Sequence, residues 1–574
     1  MDSRTAAHVL NRIAALLELA GENRFKVRAY EGAAAALREI DTDDLSPLVR
    51  SGAVAELSGV GPATLGVVTE LCEAGESSYL ERLRERVPEG LLELLRLPRL
   101  GSAKIQKLHE ELGVRSLDDL EQAARSGRLA EVKGFGPKTV EGLLRSITEL
   151  REAGTRQLIV RALPEAGRLL ATVRAHPDVV RAELAGSVRR HVETVTDVDV
   201  VAGCRGDPGR ACASFASAPG VKHVSERPHG ASIAFVDGTC LDLRCVPDGE
   251  LPVALWRATG SEAHVRAVEA LARSKGMSLE GHVLRDRSGA AMALREEPEL
   301  YAALGIPWID PALRETGEEV AAAVGGSLPE ALEQGQVRGC LHCHTRYSDG
   351  NATVREMAAA ARERGWSWLG IADHSQAAFY AGGLKRDQVL AQHAEIDRVN
   401  ADYAGELRVL KGIECDILQD GRLDYDDELR ARFDFVVGSV HSRFAQDEAA
   451  MTQRVLRALD DPSLTVLAHP TGRLLLSRKP YAIDIAAVIE KAAERGVAIE
   501  LNSDPHRLDL DWRQLHATRE AGALVSIGPD AHSTRGLDNV FLGVMFARKG
   551  WLGPADILNT RDADGVLDFA RKGR

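Results

Sequence analysis

The chain has 574 residues, 44% hydrophobic and 27% charged, with eight cysteines and a net charge of −13. That length is too great for one hydrophobic core and suggests roughly three to four domains. No apolar run approaches the roughly 18–20 residues that span a bilayer, and the acidic balance excludes a basic glove that grips any polyanion. The N-terminal stretch MDSRTAAHVLNRIAALLELAGENRF reads as an amphipathic helix without a cleavage site, and the cysteines are scattered. The expectation is a cytoplasmic protein that makes no membrane contact.

Residues 1–155 carry apolar positions at three- and four-residue spacing and are predicted helical. SGVGPATLG (58–66), PRLGSAKIQ (98–106) and KGFGPKTVE (133–141) repeat one hairpin pattern, each leading into a helix. Glycines there let backbone N–H groups approach a phosphate at a helix N-terminus, which suits DNA bound by an acidic chain. The second copy has Arg99 in place of its first glycine, which puts backbone approach there in doubt.

From residue 156 to 250, VVRAELAG, TDVDVVAG, SIAFVDG and CLDLRCV read as strands between turns. Asp197 and Asp199 are two apart on a predicted strand and face one side, with Asp242 on a candidate neighbour. Three clustered carboxylates repel one another unless divalent cations neutralise them, and hard oxygen ligands suit Mg²⁺. Two such ions stabilise the entering and leaving oxygens of a phosphoryl transfer. Gly186, Ser187 and Arg190 just upstream offer backbone amides, a hydroxyl and a guanidinium fork for a triphosphate.

A mixed segment runs to about Arg314, and TGEEVAAAVGGSLPEALEQG (316–335) reads as a small-residue connector. Beyond it, WLGIADH, LRVLKGIE, FDFVVGSVH, LTVLAHP, VAIELNS and LVSIGPDAH alternate with longer helical segments, the rhythm of βα units closing into a parallel barrel. Strand C-termini converge at one mouth of such a barrel. That would gather His342, His344, Asp349, His374, Glu414, His441, His469, Asp530 and His532, enough for up to three ions with Glu414 bridging. Mixed nitrogen and oxygen ligands favour Zn²⁺, Mn²⁺ or Fe²⁺ over Mg²⁺. The stretch CLHCHTRYSDG (340–350) also spells the haem-attachment pattern C-x-x-C-H. With no export signal visible, the two cysteines are read as bystanders of the first metal motif. Arg473, Arg478 and Arg507 follow the predicted fifth and sixth strands and are weaker candidates for meeting phosphate.

GSVRRHVETVTDVDV, LDLRCVP and ATGSEAH behind repeated hairpins resemble the family X DNA polymerases related to DNA polymerase beta, from about residue 5 to 315. Residues 337–570 resemble the PHP (polymerase and histidinol phosphatase) domain, with all nine ligand positions filled. The resemblance implies a multidomain fold with helical helix-hairpin-helix N-terminal domains, an α+β nucleotidyltransferase palm and a distorted βα barrel. Its parts would be a lyase-like domain at 1–80, fingers at 81–155, palm at 156–250, thumb at 251–315, linker at 316–336 and PHP domain at 337–574. It implies that Asp197, Asp199 and Asp242 hold Mg²⁺ or Mn²⁺, and that Gly186, Ser187, Arg190, Gly260 and Ser261 bind the incoming dNTP. The barrel ligands would hold Mn²⁺ or Zn²⁺. The implied activity is short-gap filling on gapped or primer-template DNA by a monomer, with 3′→5′ exonuclease, abasic-site endonuclease or 3′-phosphatase action in the barrel. Two departures stand out. The first hairpin lacks the family's lyase lysines, Lys26 being the only lysine before Lys104, and Arg257 and Ala258 replace the Tyr-Phe pair that gates the sugar. A front half that only holds DNA for the nuclease, and a scaffold with both centres silent, are the rival readings.

Overall fold

The computed structural model describes every residue except 2, 41, 43, 96, 98, 99, 154, 155, 219, 228, 229, 236, 237, 573 and 574. The chain divides into two compact units, residues 1–155 with 236–239, and residues 156–235 with 240–574.

The first unit is helical, and one apolar cluster runs through it from Ala6 to Ile147. Gly59 and Gly134 stand at the same place in the first and third hairpins, with φ of +95° and +101°. Glycine alone takes that conformation without a side-chain penalty. A Cβ at Gly59 would also lie 3.1 Å from the carbonyl oxygen of Gly32. Each hairpin runs into a helix, Pro62–Ala74, Ser102–Leu112 and Pro137–Ala153. Arg99, where the repeat departs from glycine, lies outside the described residues.

In the second unit, strands β1 (Val179–Leu184), β2 (Val198–Cys204), β3 (Val221–Arg227), β4 (Gly230–Phe235) and β5 (Cys240–Pro247) form a sheet in the order β1-β2-β5-β4-β3. β2 and β5 are parallel and the other pairs antiparallel. Val198, Val200 and Ala202 pack with Ala162, Ala166 and Val173 of the helix Ile159–Arg174. Alternation along the strand therefore turns Asp199 to the opposite face. Asp197 lies in a bend one residue before β2, so the shared strand expected for the two aspartates begins between them.

Helices Leu251–Thr259, Glu262–Ser274 and Glu297–Ala303 build the next cluster around Trp256 and Tyr301. The stretch read as a connector carries a helix, Glu318–Gly325, whose Val320 and Ala323 belong to that cluster. Small residues there serve close packing, and the buried Glu319 carboxylate accepts a 2.7 Å hydrogen bond from His264 Nδ1.

Seven parallel strands follow in sequence order: β6 (Gly339–Cys343), β7 (Trp368–Ile371), β8 (Arg408–Asp416), β9 (Phe435–Ser439), β10 (Val466–Leu467), β11 (Ala498–Asn502) and β12 (Val525–Gly528). His344 N–H donates to Ala531 O at 2.9 Å, and Ala531 N–H to His342 O at 3.3 Å, so the segment after β12 meets β6 and the sheet nearly closes. Among the described residues no helix is long and apolar enough to cross a membrane.

Candidate functional site

The barrel centre begins with an irregularity. In a regular strand Cys340 and His342 would share a face. The β6–β7 register shifts between Cys340 and Cys343, and His342 has φ of +63°. The bulge lets Cys340 and Cys343 both enter the apolar core, while His342 and His344 both face the barrel mouth. The cysteines are buried free thiols with their sulfurs 3.6 Å apart. His469 and Asp530 also adopt positive φ, 28° and 50°. Three of the nine expected ligands thus carry strained backbone of the kind that clusters at functional sites.

All nine come together. Glu414 Oε1 lies 3.3 Å from His342 Nε2 and 3.1 Å from Nε2 of both His441 and His469. Its Oε2 lies 2.7 Å from His374 Nδ1 and 3.7 Å from His344 Nε2. Asp530 Oδ1 is 3.3 Å from His344 Nε2, and Asp349 Oδ1 is 3.2 Å from His532 Nε2. Four overlapping groups hold their ligand atoms within 4.8 Å of one another: His344 with Asp349, His374 and His532; His342 with His344 and Asp530; His342 with Glu414 and His469; and His374 with Glu414 and His441. Spacings slightly above 3 Å are those of neighbouring ligands on an ion with bonds of about 2.0–2.2 Å.

The donor set fits metal ions by a second criterion. His342 Nε2, both ring nitrogens of His344 and Glu414 Oε2 are buried with no hydrogen-bond partner. Such orphaned groups are costly unless a cation takes their lone pairs. The tautomers agree. His342 Nδ1 donates to Glu500 at 2.6 Å, His441 Nδ1 to Asp416 at 2.7 Å, and His532 Nδ1 to the Asp530 carbonyl at 2.9 Å. Each then turns Nε2 to the cage, the arrangement in which a carboxylate or carbonyl orients a metal-ligating histidine. Burial would raise the Glu414 carboxyl, but His441, His374 and His342 hold it well below its usual range. Burial pulls His374 and His441 down, and Glu414 overrides it, pushing them up to about 10 and about 9. Burial takes His344 down to about 4.

Glu500, Asp416 and Asp373 were not foreseen. Asp373 accepts from Thr345 N–H and Oγ1 at 2.7 and 2.6 Å and so fixes the turn that presents His344. Of the weaker arginine candidates, Arg507 is at the site, its Nε 3.2 Å from Asp530 Oδ2. Arg473 is a buried strut to Asp511 and the Arg507 and Leu508 carbonyls. Arg478 donates to Gly472 O and lies over Phe444.

In the sheet centre, Asp199 of β2 stands directly opposite Asp242 of β5 in the parallel register. Burial raises the Asp199 carboxyl, and the charges of Asp197 and Asp242 take it further, to about 7. Asp197 is raised by burial and by Asp242. Asp242 Oδ2 pairs with Arg227 at 2.7 Å, while its Oδ1 is buried without a partner. The three carboxylates do not converge within the 4.8 Å that gathers the barrel groups. Gly186 has φ of +57°, and a Cβ there would fall 1.8 Å from Asp199 Oδ2, so glycine is required on both counts. Ser187 is half-buried on the same short helix, Gly186–Arg189. Arg190 Nε donates to Glu315 at 3.0 Å and Nη1 to Thr259 O at 2.8 Å.

Ser261 caps the helix Glu262–Ser274 through His264 N–H and donates to Glu315 O at 2.6 Å, while Gly260 packs against the His264 ring. Arg257 is committed to Glu269 at 2.8 Å, and Ala258 packs beside Leu255 and Ala254. Lys26 lies 3.6 Å from Glu22 and 5.5 Å from the Tyr79 ring. A hydrogen bond to Tyr79 raises its pKa, against the needs of a Schiff-base amine.

Profiles of known families match four stretches: a helix-hairpin-helix domain at 1–77, a SAM-like helix-hairpin-helix tandem at 91–149, the DNA polymerase beta thumb at 254–315 and the PHP domain at 341–504. A hairpin-bearing unit, a polymerase thumb and a PHP barrel in one chain define the class of family X polymerases that carry a PHP domain. More particularly, the chain belongs to the PolX family: it is 37% identical over 576 residues to the DNA polymerase/3′-5′ exonuclease PolX of Bacillus subtilis (strain 168), covering 100% of both chains. The chain is also 28% identical over 240 residues to a probable phosphatase of Syntrophotalea carbinolica, covering 40% of this chain and 94% of that protein. A probable phosphatase of Edwardsiella ictaluri is 29% identical over 245 residues.

Proposed function

We propose that this chain is a DNA repair polymerase that fills short gaps with dNTPs and trims 3′ ends with its barrel, by 3′→5′ exonuclease action. The observation that carries the reading is a complete nine-ligand cage, with buried unpaired donor atoms, in a chain alike to PolX from end to end. The helical segments 1–80 and 81–155 hold gapped or primer-template DNA, 156–250 serves as palm and 251–315 as thumb. The protein works as a cytoplasmic monomer.

Asp197, Asp199 and Asp242 hold Mg²⁺ or Mn²⁺ in the palm. The barrel set, His342, His344, Asp349, His374, Glu414, His441, His469, Asp530 and His532, holds Mn²⁺ or Zn²⁺, up to three ions. When bound, these ions polarise phosphoryl oxygens and supply a water of lowered pKa. Glu414, reached by five histidines, would be the carboxylate shared among the ions. Glu500 and Asp416 keep the proton on Nδ1 of His342 and His441, so that Nε2 stays a ligand. Arg507 faces the phosphodiester's charge beside Asp530. In the palm, Arg190 and the backbone at Gly186 and Ser187 orient the triphosphate, and the missing Cβ of Gly186 leaves room for the Asp199 carboxylate beside them. Gly260 and Ser261 complete the site of the incoming nucleotide.

A primer-extension gel on gapped DNA with dNTPs and Mn²⁺, run for wild type, Asp197→Ala and His344→Ala, tests the assignment. Extension should vanish only in the first variant and end degradation only in the second. Loss of both activities in either folded variant would defeat it. The likeness of part of the chain to proteins named probable phosphatases favours a second substrate for the same cage, a 3′-terminal phosphate monoester. Phosphate release from a 3′-phosphorylated oligonucleotide, absent in His344→Ala, checks it.

A further inference from the structure

We infer that Lys549, on the helix Val540–Lys549 that follows the barrel's last strand, is a positioning residue for the polymerase: it balances the carboxylate that holds Arg190 and so sets nucleotide affinity. The inference rests on the reading of Arg190 as a triphosphate-binding side chain.

Lys549 is fully buried, and every neighbour of its ammonium is a polymerase residue or stands beside one. Nζ donates to Glu315 Oε1, to Arg190 O at 2.9 Å and to Ala312 O at 3.4 Å, and it lies 4.3 Å from the centroid of the Trp512 ring. Trp512 Nε1 in turn donates to Glu193 Oε2 at 3.1 Å, and Arg513 pairs with Glu193 Oε1 at 2.9 Å. The same Glu315 Oε1 accepts Arg190 Nε at 3.0 Å. One carboxylate oxygen is therefore shared by two cations, one from the palm and one from the barrel side.

The sharing has a direction. A carboxylate beside a phosphate-binding arginine competes with the phosphate for it, and a buried carboxylate that loses its partner costs more than an exposed one. While Lys549 holds Glu315, Arg190 can turn to a triphosphate without stranding that carboxylate. Lys549 also fixes the Arg190 carbonyl, at the end of the short helix that carries Gly186 and Ser187. Without the Lys549 charge, Glu315 has only Arg190, and the triphosphate must break a closed ion pair.

The test is steady-state gap filling by the full-length protein, with exonuclease assayed alongside. Lys549→Met should raise the dNTP KM about tenfold, the scale of coupling within one charge network, with kcat and exonuclease rate nearly unchanged. Adding Glu315→Gln to that variant should return KM towards wild type, a rescue that a merely structural lysine would not allow. If Lys549→Met does not fold, Glu315→Gln alone decides, since it should lower the dNTP KM. An unchanged KM in Lys549→Met, or in Glu315→Gln when it must stand alone, or no rescue in the double variant, overturns the inference. Arg190→Ala separates the two levels. If it leaves KM unchanged the reading of Arg190 fails, and if it raises KM while Lys549→Met does not, only the role of Lys549 fails.

Discussion

The barrel cage and the sheet carboxylates meet the same problem, crowded acidic groups, in opposite ways. In the barrel the histidines compensate the acids, so Glu414 stays ionised deep in the protein. In the sheet Asp199 has carboxylate neighbours, and its proton is held up to about 7. The cage gathers its ligand atoms in four groups, each within 4.8 Å. The sheet centre has no such group; Arg227 pairs with Asp242, and the charges of Arg190 and Arg227 only partly offset the rise at Asp199. A ligand set gathered in advance and one left apart leave different marks, and this chain carries both patterns.

Four experiments would break or sharpen that contrast. The largest effect is expected from removing one ligand on each side. Asp199→Ala should cut extension at least about a thousandfold while exonuclease persists, and His344→Ala should do the reverse. Metal content by mass spectrometry should fall as isolated only for His344→Ala, the outcome expected if the gathered cage retains ions and the spread carboxylates do not. Second in size is sugar choice. With Arg257 tied to Glu269 and Ala258 packed away, neither side chain supplies the bulk of the Tyr-Phe pair. The double substitution Arg257→Tyr with Ala258→Phe should raise the dNTP-to-rNTP rate ratio by about ten- to two-hundredfold. A wild type that already excludes rNTPs beyond that range would place the gate elsewhere. Third, Glu500→Gln frees the His342 tautomer and should weaken metal retention or exonuclease rate about 10–100-fold, with extension untouched.

The smallest effect is on stability. Asp199 has its folded-state pKa raised to about 7, above the roughly 3.9 of an unfolded chain. Its charged form is thus disfavoured by folding: the cost is absent below about pH 4, grows up to about pH 7 and is constant above. Asp199→Asn in EDTA should therefore stabilise the protein by about 1–2 kcal/mol at pH 8, after discount for solvent screening at a half-buried site, and by nothing at pH 4. Thermal unfolding across that range checks it. A gain equal at all pH values would show that the repulsion is not electrostatic.

Much of this was legible in the residues because the chemistry repeats a simple rule. Six histidines and three carboxylates follow barrel strands one after another, so knowing the fold is enough to gather them. What stayed hidden depends on partners far away in the chain. Glu500 meets His342 across 158 residues, and nothing local marks it as different from any buried acid on a strand. Asp416 was within reach, since it follows Glu414 by two on β8 and alternation points both inward. Ser261 carries a second role that was legible locally. The order Ser-Glu-Ala-His at a helix start is a capping signal, and the structure uses the hydroxyl that way. The segment 316–335 looked like a tether because small residues serve packing and flexibility equally well in one dimension.

The shared face around Lys549 bears on how the chain can be dissected. Ile159, from the start of the palm helix, belongs to the barrel's own apolar cluster, and Glu193 and Glu315 take their cations from Arg513 and Lys549. A gene cut at residue 336 would yield a polymerase half with a bared isoleucine and two carboxylates without barrel counterions, and a barrel half with a lysine stranded in a wound of apolar surface. Anyone seeking the polymerase alone would do better to keep the barrel and silence it at His344 than to remove it.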